Sequence, residues 1–153
     1  MYNLRYSNPD ASEEEIMDIC KQCEIHEKIM KFKDGYNTQV GDLGSKLSGG
    51  ERQRILIARG LLKKDAKIFL FDEATSSLDP QTEKLISNRL DKMMVGKTVI
   101  FCAHRLSSII NVDKIHVLKD GRVVEQGTHS DLMKNDQSEY KNMWRNYLRE
   151  SSN

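Results

Sequence analysis

The sequence predicts an α/β fold with a small helical subdomain at its front. Two short apolar runs, residues 68–71 and 98–102, are rich in β-branched and aromatic side chains and have the length of buried strands. Segments with the periodicity of helices precede, separate and follow these runs. Such alternation is typical of a parallel sheet covered by helices, and the helix-rich beginning indicates a subdomain.

The first third of the chain predicts short helices joined by turns. After an extended start, residues 8–10 favour a turn because they read Asn-Pro-Asp. Ser12, followed three residues later by Glu15, has the pattern of a capping box and predicts a helix over about residues 13–23. A shorter helix is predicted over residues 26–32, before a loop that contains glycine and asparagine.

A Ser-Gly-Gly turn ends that loop and opens a helix of about residues 50–63. Apolar residues lie on more than one side of this helix, so we expect it to pack between two layers.

After the first strand, Asp79 has the position of an N-cap and Pro80 that of the first helical residue, so a helix is predicted to about Met94. The remainder predicts a hairpin of residues 115–118 and 123–126 around an Asp-Gly turn, and helices at about 130–134 and 138–149, the last burying Tyr140, Met143, Trp144 and Tyr147.

Composition excludes some classes of protein. The chain has 153 residues, of which 24 are basic and 23 acidic, and a net charge of +1 is too even for a dedicated nucleic-acid binder. No apolar run approaches the roughly 20 residues of a transmembrane helix, and the first residues lack the pattern of a signal peptide. Three cysteines, an odd number, indicate a reducing compartment.

Cys20, Cys23 and His26 have a spacing that raises the question of a metal site. A fourth ligand and a second cysteine pair are both missing from the pattern. We therefore expect a packed apolar face on the first long helix, formed by Ile16, Ile19 and the two cysteines.

Two features point to phosphate chemistry. The turn of Ser48, Gly49 and Gly50 presents unpaired backbone N–H groups at the positive end of a helix dipole, which suits an anion such as phosphate. Asp72 and Glu73 follow the first strand, at the end of a parallel sheet where ligands collect.

The motifs that carry these features resemble those of ABC ATPases. LSGGE at residues 47–51 resembles their signature motif, and IFLFDE at 68–73 resembles their Walker B strand with its catalytic glutamate. SSLD at 76–79 is similar to their D-loop, and AHR at 103–105 contains a histidine at the place of their switch histidine. Residues 105–133 resemble the end of exporter-type domains, of the multidrug-resistance and mitochondrial groups. The resemblance covers essentially the whole chain and implies a P-loop NTPase-like parallel sheet with a helical subdomain.

The resemblance also implies roles for single residues. A phosphoryl-transfer site needs one carboxylate for Mg²⁺ and another for the attacking water, so Asp72 is expected to hold the metal and Glu73 to be the general base. His104 is expected to reach the γ-phosphate and the water, although a lone histidine after a strand is usually structural. The groups expected to bind the ATP of a partner subunit are Ser48, Gly49, Gly50, Glu51 and Asp79, of which Asp79 is also the N-cap.

No GxxxxGK[ST] motif occurs in the sequence, so the lysine and backbone cradle of a P-loop is absent. The chain therefore resembles the C-terminal part of such a domain. Residues 1–63 or so would be the helical subdomain with the signature helix, and about 64–153 the C-terminal part of the RecA-like core, without the P-loop strand. By itself the chain is expected to be inactive. Its expected partners are a second ABC ATPase domain and the transmembrane domain of the same transporter, with the ATPase domain on the cytosolic or mitochondrial-matrix side.

Two other classes of function compete with this interpretation. A soluble ABC ATPase of chromosome maintenance or translation is disfavoured by the near-neutral charge and the exporter-like tail. A noncatalytic module that lends its signature turn to a partner is disfavoured by the presence of Glu73 and His104. We therefore expect the ATP-hydrolysing domain of an exporter, with transport specificity residing in the membrane part.

Overall fold

The computed structural model describes residues 1–102 and 106–150, without the side chain of Glu150. The chain forms two compact units, Met1–Cys102 and Ala103–Asn153. The predicted border near residue 63 falls inside the first unit and stays a prediction. No described helix is long and apolar enough to cross a membrane.

The first unit combines five helices with a parallel pair of strands. Its helices are α1 (Tyr2–Arg5), α2 (Glu13–Gln22), α3 (His26–Met30), α4 (Gly49–Leu61) and α5 (Pro80–Met93), with short 3-10 turns at Gly35–Asn37 and Asp42–Gly44. Strands β1 (Ile68–Asp72) and β2 (Thr98–Cys102) pair in parallel, with Ile68 opposite Thr98 and Asp72 opposite Cys102. The described residues thus contain the predicted α/β arrangement.

Two of these helices begin with the side-chain caps that the sequence predicts. Ser12 and Glu15 form the predicted capping box of α2. Asp79 accepts a hydrogen bond from the Thr82 N–H and caps α5. The expected extended start is wrong, because α1 forms there and carries Leu4 into the core, where only a few per cent of its surface is exposed. A local pattern gave no sign of that burial.

Two arginines hold the C-terminal end of α2. Arg89 of α5 donates hydrogen bonds of 2.8 Å to the carbonyls of Lys21 and Gln22 and forms an ion pair of 2.5 Å with Glu24. Arg54 of α4 donates a hydrogen bond of 2.8 Å to the carbonyl of Glu24. The last carbonyls of a helix lack intrahelical partners, so these contacts supply hydrogen bonds at the end of α2 and just beyond it, and they join α2 to α4 and α5.

The two cysteines of α2 and its cap are part of the core. Cys20 and Cys23 are fully buried beside Ile16, and burial raises the pKa of Cys20 to about 11 and that of Cys23 to about 12. His26 shares a hydrogen bond of 2.9 Å with the hydroxyl of Tyr36. Within residues 1–102 and 106–150 no group of three metal-ligating side chains occurs. Their burial places both thiols in the core packing of the first unit.

Burial of the strands differs from the sequence expectation. Phe69 and Phe71 are buried, but Ile68 and Leu70 on the other face of β1 are 66% and 67% exposed. In β2, only Val99 is even partly buried. The expectation that both strands are fully buried is therefore wrong for this chain, because helices cover one face of the sheet only. Likewise, Leu56 is exposed, so α4 packs along one side and not between two layers.

The second unit is a hairpin with two helices. Strands β3 (Ile115–Lys119) and β4 (Arg122–Gly127) pair antiparallel, as predicted, around Asp120 and Gly121, which both have positive φ. A 3-10 turn at Leu106–Ile109 and helices α6 (His129–Lys134) and α7 (Glu139–Glu150) complete the unit. Its core consists of Leu106, Ile115, Val117, Leu132 and Tyr140.

Helix α7 is fixed at its beginning by Glu125 of β4. The carboxylate accepts hydrogen bonds from the Ser138 hydroxyl and from the N–H groups of Glu139 and Tyr140, at 2.8 to 3.1 Å. Burial alone would raise the pKa of Glu125, but these donors outweigh it and lower the pKa below its ordinary value. The prediction that α7 buries Met143 is wrong, because that side chain is exposed.

Candidate functional site

The N-terminus of α4 forms the predicted glycine turn. Ser48 is the N-cap, and its hydroxyl accepts a hydrogen bond of 3.2 Å from the N–H of Glu51, whose carboxylate accepts one of 2.9 Å from the N–H of Ser48. Gly49 and Gly50 are the first two residues of the helix, so neither N–H has an intrahelical acceptor. The arrangement supplies a helix N-terminus with small residues, which is suited to an anion.

Glu51 also contacts Lys28 of α3. Their side chains form an ion pair of 3.1 Å. Burial would raise the pKa of Glu51, but the hydrogen bond from the Ser48 N–H and the Lys28 ammonium outweigh it and lower the pKa. The carboxylate is thus ionised and used within the chain, and the expected contact of Glu51 with ATP stays a prediction.

The two glycines are also in close contact with the loop that follows β1. A Cβ atom at Gly50 would lie 3.0 Å from the carbonyl oxygen of Ser77, and one at Gly49 would lie 3.4 Å from the Ser77 Cβ. A side chain at position 50 would therefore require the loop at Ser77 to shift. The sequence interpretation of these glycines as a phosphate turn missed this second reason.

Gln53, which the sequence analysis did not single out, joins α4 to the same loop. Its Nε2 donates hydrogen bonds of 3.1 Å to the carbonyl of Glu73 and of 2.9 Å to the hydroxyl of Ser76. Its Oε1 accepts a hydrogen bond of 2.9 Å from the N–H of Ser77. Positions three and four residues apart share a helix face, so the spacing of Gln53 from Gly49 and Gly50 indicates that Gln53 lies on the same face of α4 as the glycine turn.

Asp72 and Glu73 leave the sheet at the carboxyl end of β1. Asp72 is the last residue of the strand and is exposed. The N–H of Glu73 still donates a hydrogen bond of 3.2 Å to the carbonyl of Cys102, but Glu73 has a φ of +47° and turns the chain away from the strand. A residue other than glycine with positive φ is uncommon and concentrates at functional sites.

The carboxylate of Asp72 fits a role in holding Mg²⁺. Magnesium takes oxygen ligands, and it is usually bound by one or two carboxylates together with water and substrate phosphates. No cluster of three acidic, histidine or cysteine side chains is found in the described part of the chain. An ion at Asp72 would therefore take most of its ligands from nucleotide and water.

The loop from Glu73 to Asp79 is held at its far end by α5. The hydroxyl of Thr75 donates a hydrogen bond of 2.9 Å to Glu83, and Leu78 is buried. Asp79 caps α5, and the hydrogen bonds from the hydroxyl and the N–H of Thr82 lower its pKa. Its expected second role, toward the nucleotide of a partner subunit, stays a prediction.

Through Gln53, the structure thus joins α4, which begins with the glycine turn, to the carbonyl of Glu73 and to residues 76–77. His104 lies outside the described residues. The other candidate residues lie where the sequence places them, at the N-terminus of α4, the carboxyl end of β1 and the start of α5.

Comparisons with known proteins extend this picture. The family model described as ABC transporter matches residues 5–76. The chain is 50% identical over 144 residues to the "Heavy metal tolerance protein" of Schizosaccharomyces pombe, an alignment that covers 94% of the chain and 17% of that protein. It is 48% identical over 143 residues to the human "Iron-sulfur clusters transporter ABCB7, mitochondrial", covering 94% of the chain and 19% of that protein.

A solved structure is similar as well. The fold matches that of a protein titled "Structure of a bacterial Atm1-family ABC exporter with ATP bound", with a TM-score of 0.91 and 44% sequence identity. The alignment covers 96% of this chain and 26% of that one. The chain therefore spans less than a fifth of the length of the two relatives and about a quarter of the solved exporter chain.

Proposed function

Because this chain belongs to the ABC transporter family, we propose that it forms part of an ATP-hydrolysing domain that drives export across a membrane. The observation that carries the proposal is the joining of α4, which begins with the glycine turn, to the loop of Glu73 by Gln53, in a fold similar to that of an ABC exporter with ATP bound. ATP is the proposed substrate and Mg²⁺ the proposed metal. The transported compound is expected to be selected by the membrane part.

Glu73 is the proposed general base. Its carboxylate takes a proton from a water molecule as the water oxygen attacks the γ-phosphorus. The bond between that phosphorus and the bridging oxygen breaks, so the products are ADP and phosphate. Asp72 would hold Mg²⁺, which neutralises charge on the phosphates. His104 is the proposed contact for the γ-phosphate and the water.

The glycine turn is proposed to act on the nucleotide of a second subunit. The N–H groups of Gly49 and Gly50 and the hydroxyl of Ser48 lie at one helix N-terminus, where a phosphate is stabilised. Glu51 supports this turn as its capping partner, and Asp79 would contact the same nucleotide. Because the sequence has no P-loop motif, the lysine and backbone cradle must come from other residues of the dimer.

The proposed partners follow from the same reasoning. A second ABC ATPase domain would complete the nucleotide sites, and a transmembrane domain would receive the resulting movement. No nucleic acid is expected, because the net charge is only +1. The proposed location is the cytosolic or mitochondrial-matrix side of a membrane.

Replacing the base tests the proposal. In a full-length transporter that contains this chain, Glu73→Gln should lower the rate of ATP hydrolysis by about 10² to 10⁴ while ATP still binds, because the shape is kept and the base is lost. Glu14→Gln, on the exposed first turn of α2, is the matched control and should keep the wild-type rate. Full hydrolysis by the Glu73→Gln protein would reject the proposal.

A further inference from the structure

We propose that Gln53 is a positioning residue for the general base, acting through the backbone of Glu73 and the loop that follows it. The inference rests on the proposed function of Glu73. It adds a residue of the signature helix to the hydrolytic site, although the side chain of Gln53 need not touch the nucleotide.

The amide of Gln53 uses its hydrogen-bonding capacity on a single segment. Both Nε2 hydrogens are donated, one to the carbonyl of Glu73 and one to the hydroxyl of Ser76, and Oε1 accepts from the N–H of Ser77. These three contacts, to residues 73, 76 and 77, define the orientation of the segment more strictly than one contact would. Gln53 is half-buried, whereas Glu73, Ser76 and Ser77 are exposed, so the three bonds lie at the protein surface and depend on being made together.

The peptide groups on both sides of Glu73 are thereby fixed. On one side its N–H donates to the carbonyl of Cys102 in β2, and on the other its carbonyl accepts from Gln53 in α4. Between these two bonds the backbone adopts a φ of +47°, an unfavourable conformation that surrounding contacts must maintain. The direction of the Glu73 side chain depends on this backbone conformation, so loss of the Gln53 bonds should misalign the carboxylate.

The position of Gln53 also relates the two halves of the proposed site. Helix α4 presents the amides of Gly49 and Gly50 at its first turn and Gln53 one turn later. The same helix would therefore bind the phosphate of one nucleotide and hold the base that acts on the other. This arrangement gives the chain a direct mechanical link between the two nucleotides of a dimer.

Two variants of the full-length transporter separate hydrogen bonding from packing. Gln53→Met keeps the length and volume of the side chain and removes all three hydrogen bonds. Gln53→Glu keeps an acceptor for the Ser77 N–H but places an oxygen against the carbonyl of Glu73. Gln22→Met, at the partly exposed last residue of α2, is the matched control.

We expect both Gln53 variants to lower kcat by about 10- to 100-fold, as misplacement of a reacting group by about 1 Å does, with KM for ATP within about twofold of wild type. Hydrogen exchange of the peptide covering residues 73–78 should become faster in Gln53→Met and change less in Gln53→Glu. The Gln22→Met protein should match the wild type in both measurements.

The combination of Gln53→Met with Glu73→Gln tests whether Gln53 acts through the base. A positioning residue has nothing left to position once the base is gone, so the double variant should be as slow as Glu73→Gln alone. A further loss in the double variant would indicate a general structural role and overturn the inference. An unchanged kcat in Gln53→Met, or unchanged exchange at residues 73–78, would also overturn it.

Failure of the proposed function gives a different result. In that case Glu73→Gln would hydrolyse ATP at the wild-type rate, whatever Gln53→Met does. If Gln53→Met does not fold, Ser76→Ala removes one of the three bonds with little change in volume, and it should show a smaller decrease in kcat with the same unchanged KM. If Ser76→Ala and Gln53→Glu both kept the wild-type kcat, the role of Gln53 as a positioning residue would be rejected.

Discussion

Among single residues, Gly50 satisfies two separate constraints. Its N–H lies in the first turn of α4, where the proposed phosphate would bind, and its missing side chain leaves room for the carbonyl of Ser77. Alanine at this position would place a methyl group 3.0 Å from that oxygen, closer than ordinary contact. The same residue type would thus serve both the proposed phosphate site and the packing of the loop that carries Glu73.

Cys20 and Cys23 make the stability of the chain sensitive to high pH. Their thiols have a pKa of about 11 and about 12 in the folded chain, against an ordinary value of 9.0, because burial disfavours the thiolate. Above pH 9 the unfolded chain loses protons that the folded chain keeps. The contribution of the two thiols is therefore complete below pH 9 and is lost as the pH rises toward 11 and 12.

We predict that the free energy of unfolding falls by about 1 to 3 kcal/mol between pH 8 and pH 10, as measured by urea denaturation. Cys20→Ala and Cys23→Ala should each lower the stability at pH 8 and reduce this pH dependence. Cys102→Ala is the control, since Cys102 is exposed and its replacement should leave the slope unchanged. If the free energy of unfolding depended on pH equally in all three variants, the assignment of this dependence to the two buried thiols would be contradicted.

Among the helices, α2 and α4 begin with the same capping box. In each, a serine hydroxyl accepts from the third helical N–H, and a glutamate carboxylate accepts from the serine N–H. The pair provides an internal control, because only Ser48 is also a proposed ligand of phosphate. Comparing substitutions at Ser12 and Ser48 therefore distinguishes the loss of a helix cap from the loss of a phosphate ligand.

We predict that Ser12→Ala and Ser48→Ala each lower the free energy of unfolding by about 0.5 to 2 kcal/mol, the usual cost of losing a cap. Only Ser48→Ala should also reduce ATP hydrolysis, by roughly 10- to 100-fold if its hydroxyl bonds to a charged phosphate. Thermal unfolding and a phosphate-release assay provide the two measurements. Equal activities of the two variants would restrict Ser48 to its role as a cap.

The sheet of β1 and β2 has an uncovered apolar face. Ile68, Leu70 and Ile100 are exposed on it, and β2 has no second strand partner in the part of the chain that the structure describes. Apolar faces and free strand edges favour association. We predict that the 153-residue chain self-associates at micromolar concentration, as measured by sedimentation or light scattering.

A substitution tests whether that face is responsible. Leu70→Lys should shift the chain toward monomer, whereas Val95→Lys, at an even more exposed apolar residue outside the sheet, should not. A monomeric wild-type chain, or equal shifts in both variants, would show that the exposed face does not drive association.

For the whole molecule, the proposal divides each nucleotide site between two subunits. The glycine turn would act on the nucleotide of the opposite subunit, and Glu73 would act on the nucleotide of its own. This division can be tested with Ser48→Arg, which fills the turn, and Glu73→Gln, which removes the base. Each homodimer of the full-length transporter should be inactive.

In the mixed dimer, one Ser48→Arg subunit is paired with one Glu73→Gln subunit. If the turn acts across the interface, both defects fall in one site, and the other combines an intact Ser48 with an intact Glu73. We predict that partial ATPase activity returns, and a recovery of a few per cent is measurable because loss of the base costs about 10² to 10⁴ in rate. ATP-dependent dimer trapping should be measured alongside. If the mixed dimer showed no ATPase activity and no ATP-dependent trapping, the assignment of the turn across the interface would be rejected.

Local interactions allowed much of the fold to be predicted. The box of Ser12 and Glu15, the cap at Asp79 and the turn of Asp120 and Gly121 involve residues within three positions of one another, so the sequence contains the whole interaction. The order of the motifs similarly located the candidate site at the start of α4 and the end of β1. Short-range hydrogen bonding and backbone preference determine these features without reference to distant residues.

Tertiary structure alone decided which faces are covered and which distant groups meet. The burial of Leu4 in α1, the exposure of Ile68 and Leu70, and the contact of Gln53 with Glu73 each depend on how elements pack. Gln53 and Glu73 are 20 residues apart, and nothing in either local pattern indicates that they meet. The sequence by itself determined where the candidate motifs, the strands and the helices after α1 lie, because these depend on near neighbours. Packing determined burial and the contact of Gln53 with Glu73, because both depend on contacts between segments far apart in the chain.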